Sequence, residues 1–553
     1  MRQEYQNWTS KLNIWLPLLF AVVLVVGMLV GMRLQSEAPR VVDIQNPDAL
    51  SPNTQGKIEE LLRYIEAKYV DEVDRDKLVD EAISSILKQL DPHSVYFTAE
   101  QLKDVSVQLD GNFNGIGVEF IIIDDTVTIV APLGGGPAEA AGILAGDKVV
   151  QAEDSVIAGV GISSNGVIDL LSGEKGSKVT IGILRGNEQK IRQFTLERDA
   201  IPVHSVDVAY MLNNKTGYIK INRFSANTYE EFMKGLEKLV EKEGMKDLVI
   251  DLRQNPGGYL QQATNILSQL FKQKDQLLVY TEGRSVHRSE YETTGRAFFD
   301  IRNIAVLIDE GSASASEILA GALQDHDRAY IIGRRSFGKG LVQEQYDLRD
   351  GSALRLTVAR YYTPSGRSIQ KPYDDRAHYE EDFTERYESG ELSGNGEVAI
   401  LDSTKYYTTS GRVVYGGGGI TPDVFVPLDT TLINEYYFQL RRQMPQFVFR
   451  YKKNHQKDFE YTSVASFKKN FTVNNALLED FIEYAADNGV ARDKTQLAKI
   501  TPMLKKYLKA SFGQSLFDNE GFYAVWNEMD PAVKKALQEL DKSNPISEYQ
   551  HKK

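Results

Sequence analysis

Two short apolar runs, Leu248-Val249-Ile250 and Ile304-Ala305-Val306-Leu307-Ile308, constrain the fold most, because each leads directly into a turn of small residues. Continuous apolar runs of this length read as strands buried on both faces, as in sheets covered by helices. A third run, Ala329-Tyr330-Ile331-Ile332, behaves the same way. From about 200 to 430, β-rich strings alternate with helical patterns, which indicates an α/β core. Each run delivers a distinctive segment: Asp251-Leu252-Arg253-Gln254-Asn255-Pro256-Gly257-Gly258, then Gly311-Ser312-Ala313-Ser314-Ala315-Ser316-Glu317, then Ser336-Phe337-Gly338-Lys339-Gly340-Leu341-Val342-Gln343.

The rest of the 553 residues divides by composition. After a tail at 1–11, Leu12 to Met32 contains no charge and is rich in Leu, Val and Phe. As a helix it would span roughly 30 Å, enough for a hydrocarbon core. It ends Gly31-Met32-Arg33-Leu34, without a small-x-small cleavage site, so a retained transmembrane signal anchor at 12–32 is expected rather than a cleaved signal peptide. Arg2 and Lys11 before it and Arg33 and Arg40 after it do not decide orientation. A polar, proline-containing linker follows at 33–56.

Helical spacing then appears at Ile58, Leu61, Leu62 and Ile65, and again at Leu78, Val79, Ala82, Ile83, Ile86 and Leu87. Residues 57–106 therefore read as a helical packing or dimerisation module, the one hint of a homo-oligomer. Residues 431–553 return to helical patterns, at Leu477, Leu478, Phe481, Ile482 and Ala485 and at Leu497, Ile500, Leu504 and Leu508, with no chemical motif. The net charge of −13 argues against nucleic acid as a partner. Absence of cysteine excludes disulfides, a thiol nucleophile and zinc–thiolate sites.

Residues 107–199 carry short strands and glycine turns. Gly115-Ile116-Gly117-Val118 precedes the alternating Thr126-Val127-Thr128-Ile129-Val130, and Pro137-Ala138-Glu139-Ala140-Ala141-Gly142 and Leu144-Ala145-Gly146-Asp147 follow. In this order they resemble a PDZ domain. The resemblance implies that the backbone N–H groups of Gly115, Ile116, Gly117 and Val118 receive a peptide's terminal carboxylate while the following edge strand pairs with the peptide.

The segment holding Ser314 reads as strand, turn and helix, which puts a serine at a helix N-terminus where N–H groups favour a developing oxyanion. A serine there is also an ordinary N-cap, and Ser312, Ser314 and Ser316 compete for the position. A serine nucleophile needs a base. His326 lies about 18 Å along a continuous helix and is too far away. Lys339, between Gly338 and Gly340, is either a desolvated base or a solvated turn lysine, and Gln343 could orient its amine. Gly333 to Lys339 also fits the start of a P-loop, but Gly340 stands where Ser or Thr should hold magnesium and Leu341 to Tyr346 reads as a strand.

Taken together, GSASASE, FGKG with its following Gln, DLRQNPGG, the stretch Leu90–Phe97 and Tyr415-Gly-Gly-Gly-Gly-Ile-Thr-Pro-Asp423 resemble the carboxy-terminal processing peptidases, or tail-specific proteases. The resemblance covers roughly residues 57–428. It implies a crotonase/ClpP-like α/β protease core at 200–430, with a PDZ β-domain before it and helical regions at either end. It further implies a serine endopeptidase cutting proteins near their C-termini, with Ser314 as nucleophile, Lys339 as base and Gln343 orienting it. Backbone N–H groups of Ala315 and of the Gly257-Gly258 turn would form the oxyanion hole. No metal or cofactor is required. The expected partners are proteins with free apolar C-termini and the membrane, and whether another protein activates the enzyme stays open. The family places such a domain on the extracytoplasmic, periplasmic side of the inner membrane. A catalytically inactive PDZ scaffold and an acyl-CoA enzyme of crotonase type are the alternatives.

Overall fold

The computed structural model of the chain describes residues 56–186, 188–430 and 434–542. The expected anchor at 12–32 lies outside them. None of the described helices is long and apolar enough to cross a membrane. Residues through Glu81 form one compact unit and those from Ala82 onward another. In the described part of the first, the helix Lys57–Lys68 meets the start of the helix Arg75–Leu87 through Arg75, which pairs with Glu59 at 3.0 Å and Glu66 at 3.4 Å.

The second unit begins within the helix Arg75–Leu87 and continues through a short strand, β1 (Val95–Phe97), and the helix Ala99–Asp110 to the β-domain. There β2 (Asn112–Gly115) pairs with β9 (Asp199–Pro202) in a two-stranded sheet of their own, and a second sheet holds β3 (Val118–Ile123), β4 (Thr126–Pro132), β5 (Lys148–Ala152), β6 (Ser155–Val156), β7 (Lys178–Leu184) and β8 (Arg192–Glu197). β3 is an edge strand, with β4 on one side only. The helix Ser164–Leu171 buries Val167 and Leu171 against Val127, Ile129 and Ile181 in a core of the domain's own.

The central sheet follows: β10 (Val206–Met211), β11 (Thr216–Ile221), β12 (Asp247–Asp251), β15 (Ile304–Ile308), β16 (Ala329–Gly333) and β21 (Val424–Phe425) lie side by side, parallel except for β10. Its continuous apolar runs serve two cores at once, because successive side chains point to opposite faces. Leu248, Ile250, Ile304, Val306 and Ile308 pack beneath helices Thr228–Glu237, Leu260–Leu270 and Ala315–Asp325. Val249, Ala305 and Leu307 face the other way and meet Ala532, Val533, Ala536 and Leu540 of the helix Pro531–Leu540. A helix late in the described residues thus covers the central sheet's second face.

A second sheet is built from β13 (Lys274–Glu282), β14 (Ser289–Thr294), β17 (Leu341–Asp347) and β18 (Ala353–Tyr362), and β1 pairs with β18 although the whole β-domain separates them in sequence. β17 occupies the stretch where a P-loop would need a helix. The hairpin β19 (Lys405–Tyr407) and β20 (Val413–Tyr415) completes the strands. The remaining C-terminal helices enclose an aromatic cluster around Phe447, Phe467, Phe481 and Phe512.

Candidate active site

All three distinctive segments emerge at the C-terminal ends of parallel strands, the end where α/β sheets hold ligands. The turn after β12 is fixed first. Asp251 at its tip is buried; burial alone would raise its pKa, but Arg253 and Lys220 hold the carboxyl well below the usual range. Asn255 then ties two loops together. Its side chain accepts from the Gly257 N–H at 2.9 Å, and its carbonyl accepts from the Ala313 N–H and the Ser316 hydroxyl, both at 3.0 Å. Gly257 has φ +98°, and a Cβ there would lie 2.7 Å from the Cβ of Ser314 and 2.9 Å from the nitrogen of Ala315. Gly258, at φ +141°, would collide with the carbonyl of Phe224. The sequence-predicted Gly257, Ser314 and Ala315 are thus brought together.

Ser314 precedes the helix Ala315–Asp325 with φ 55° and ψ −116°, a backbone that a residue with a Cβ adopts only under constraint. The constraint is Glu317, which is fully buried. Its Oε2 accepts the N–H groups of Ser314 at 2.8 Å and Lys339 at 2.9 Å, while Oε1 accepts the Gly338 N–H at 2.7 Å and the Ser336 hydroxyl at 2.6 Å. Burial pushes this carboxyl up to about 7, against the pull of those four donors. On the other side the Tyr361 hydroxyl reaches the carbonyls of Ser314 at 3.2 Å and Lys339 at 2.6 Å. Two side chains therefore hold the backbones of Ser314 and Lys339 in register.

Burial lowers the pKa of Lys339, as does the Arg355 guanidinium, with Glu317 and Asp91 opposing. Gln343, on β17, donates from Nε2 to Thr357 Oγ1 at 3.4 Å, and that hydroxyl donates to Asp91 at 3.0 Å. Asp91 in turn accepts from the Ser94 hydroxyl at 2.6 Å and the His93 N–H at 2.8 Å. The stretch ahead of the β-domain is thereby part of the site. Its His93 bonds through Nε2 to the Tyr379 hydroxyl at 2.7 Å; burial first, then the charge of Lys339, brings its pKa down to about 4. His326 caps its helix and contacts the Leu277 carbonyl at 2.7 Å, away from Ser314.

Gly115, Ile116, Gly117 and Val118 sit apart, in the β-domain. The carbonyls of Ile116 and Gly117 accept from Ala138 and Leu133, both at 2.9 Å. Because a peptide's N–H points opposite to its carbonyl, the N–H groups of Gly117 and Val118 face the other way.

Glu317, Tyr361 and Asp91 were not singled out from the sequence. Ser314-x-x-Glu317 before an apolar run is a capping-box pattern and could have pointed to Glu317. Tyr361 and Asp91 carry no such local signal.

The chain is similar in sequence to known proteins along most of its length. Residues 215–375 fit the model of peptidase family S41, 114–196 a PDZ domain, 22–101 the N-terminal domain of the activating protease CtpB, and 436–518 a family of unknown function. The carboxy-terminal-processing protease of Bartonella bacilliformis is 34% identical over 409 residues, covering 72% of this chain and 92% of that protein. CtpB of Bacillus subtilis is 39% identical over 321 residues, 57% of this chain and 65% of its own length. The solved photosystem II D1 C-terminal processing protease is 31% identical, with TM-score 0.33, covering 56% of this chain and 89% of that one. The class is that of PDZ-bearing serine peptidases. Within it, the chain belongs to the carboxy-terminal-processing proteases of peptidase family S41. An inactive scaffold is not favoured.

Proposed function

We propose that Ser314 is the nucleophile and Lys339 its general base, in an endopeptidase that shortens proteins from near their C-termini. The carrying observation is the shared grip of Glu317 on the N–H groups of both residues. Neutral Lys339 takes the hydroxyl proton of Ser314 as the oxygen attacks the scissile carbonyl. The oxyanion that forms is held by the N–H of Ala315 and by the Gly257-Gly258 turn, each donor contributing about 2.7–4 kcal/mol. The ammonium of Lys339 then protonates the leaving amine, and water attacks the acyl-enzyme with the same base. Gln343 donates from Nε2 to Thr357, which leaves Oε1 to accept from the amine of Lys339 and aim it.

The PDZ domain takes the client's free C-terminus at Gly115–Val118. The apolar segment 12–32 tethers the enzyme to the inner membrane, with its bulk on the periplasmic side. Exposed Ile58, Leu61 and Tyr64 on the first described helix support self-association of the N-terminal module. Incubating wild type, Ser314→Ala and Lys339→Ala with an unstructured protein ending in apolar residues, and weighing the products by mass spectrometry, tests the dyad. Cleavage by wild type alone, with all three folded, is expected. Normal cleavage by Lys339→Ala would overturn the assignment of the base.

A further inference from the structure

β3 is the strand a client would join, and its outward positions follow from its register. Ile123 and Thr126 close a two-residue turn through Asp124 and Asp125, both at positive φ. In such a hairpin the closing pair is hydrogen-bonded and the next pair is not, so Ile122 directs its N–H and C=O away from β4. Phe120 does the same, since its partner Ile129 spends its own N–H and carbonyl on Asp147 and Gly146. With the carboxylate loop at Gly115–Val118, an antiparallel client would pair its last residue at Val118, its third-last at Phe120 and its fifth-last at Ile122.

The carbonyl of Ile122 is already taken. Gln446, in the helix Glu435–Asn454 of the C-terminal region, donates from Nε2 to the Ile122 carbonyl at 2.7 Å. Its Oε1 accepts the Tyr484 hydroxyl at 3.1 Å, which fixes the amide's direction. A second element of the same region places a charge near this strand. Asp518, at a kink with φ 51° and ψ −150° inside the helix Lys494–Trp526, adds to burial in raising the pKa of Glu119 on β3.

We infer that Gln446 is a specificity-determining stop: the C-terminal helical region ends the peptide groove at Ile122, so that only the last four residues of a client pair with β3. Beyond that point the client leaves the strand and is free to enter the protease core. This rests on the reading of Gly115–Val118 as the carboxylate loop. It gives the region matching a family of unknown function a task, that of setting how much of the tail is read.

The test uses the full chain with Ser314→Ala to prevent cleavage, and fluorescent peptides of three to eight residues with apolar, free C-termini. On the wild-type background, affinity should rise up to four residues and then stay level. In Gln446→Ala the fifth and sixth residues should add about five- to tenfold, the worth of one more backbone hydrogen bond. Gln446→Glu, which keeps the size but cannot donate, should do the same, and Tyr484→Phe should give a smaller gain. A level profile in both Gln446 variants, or a wild type that already gains from the fifth residue, would overturn the inference while leaving the carboxylate loop intact. Equal binding of free and amidated tails would instead remove the loop reading, and the inference with it.

Discussion

The site around Ser314 and the groove along β3 are built on opposite plans. At Ser314 a buried carboxylate collects four donors, a tyrosine ties two carbonyls, and glycine lets a second loop come within contact distance. At β3 the backbone is left as an edge, with N–H groups turned outward and one carbonyl met by a side chain from elsewhere. On the proposed assignment, the first arrangement fixes atoms that must meet within hydrogen-bond distance during a reaction. On the proposed reading, the second leaves hydrogen-bonding capacity unspent so that different tails can supply it. Chemistry is held by the fold, and recognition is left for the client to complete.

The largest effect should separate the two. Lys339→Ala should cost on the order of 10⁴-fold in kcat/KM, as for other members of catalytic dyads and triads, and leave the binding of client tails unchanged. Equal loss of both, measured by peptide kinetics and fluorescence anisotropy, would break the comparison. Gly257→Ala comes next: its methyl group would press on Ser314 and Ala315. A fall in kcat of about 10²–10³-fold is expected, the scale of one lost oxyanion donor, again with tail binding intact. Gly117→Ala should do the reverse. At φ +73°, an alanine costs strain in the proposed carboxylate loop, so tail affinity should drop about five- to tenfold while kcat on a short internal peptide holds.

The smallest effect concerns stability. Glu317 is raised to about 7 from an ordinary value of 4.5, so the folded state holds more protons than the unfolded one between those values. Its contribution is present below about pH 4.5 and lost as pH rises through about 7. Thermal melts of wild type and Glu317→Gln should therefore differ in slope across that window, with the wild type losing ground as pH rises.

Much of this was legible in the sequence, for physical reasons that vary by element. Leu248–Ile250 and Ile304–Ile308 announced buried strands because both faces of each are covered. The segments holding Ser314, Lys339 and the Gly257-Gly258 turn stood out because each follows an apolar strand with small, glycine- or serine-rich residues, and the fold brings Gly257, Ser314 and Ala315 into contact distance. Glu317 was hidden in plain view as a helix cap; only folding shows that its second oxygen also holds Gly338 and Ser336. Asp91 and Thr357 come together only after β1 crosses the β-domain to join β18, which no local pattern encodes. The sequence also repeats one short pattern, Thr363-Pro-Ser-Gly-Arg367 and Thr408-Thr-Ser-Gly-Arg412, and the fold gives the repeat a cause. Each is a turn with glycine at positive φ that clasps an aspartate at the end of one helix, Asp325 in the first case and Asp327 in the second. The pairing of Pro531–Leu540 with the central sheet was out of reach, since its amphipathic stripe names no partner.

The most direct test of Lys339 as the base is the pH dependence of kcat/KM in wild type and Arg355→Gln. Lys339 must be neutral to act, so activity should climb with pH through its lowered pKa. Removing the guanidinium of Arg355, which helps keep that pKa down, should move the climb to higher pH. A climb that shifts in this way is the predicted result. A profile flat through neutral and mildly alkaline pH, or one that ignores Arg355→Gln, would contradict a lysine base and direct attention to His93, which is neutral across that range.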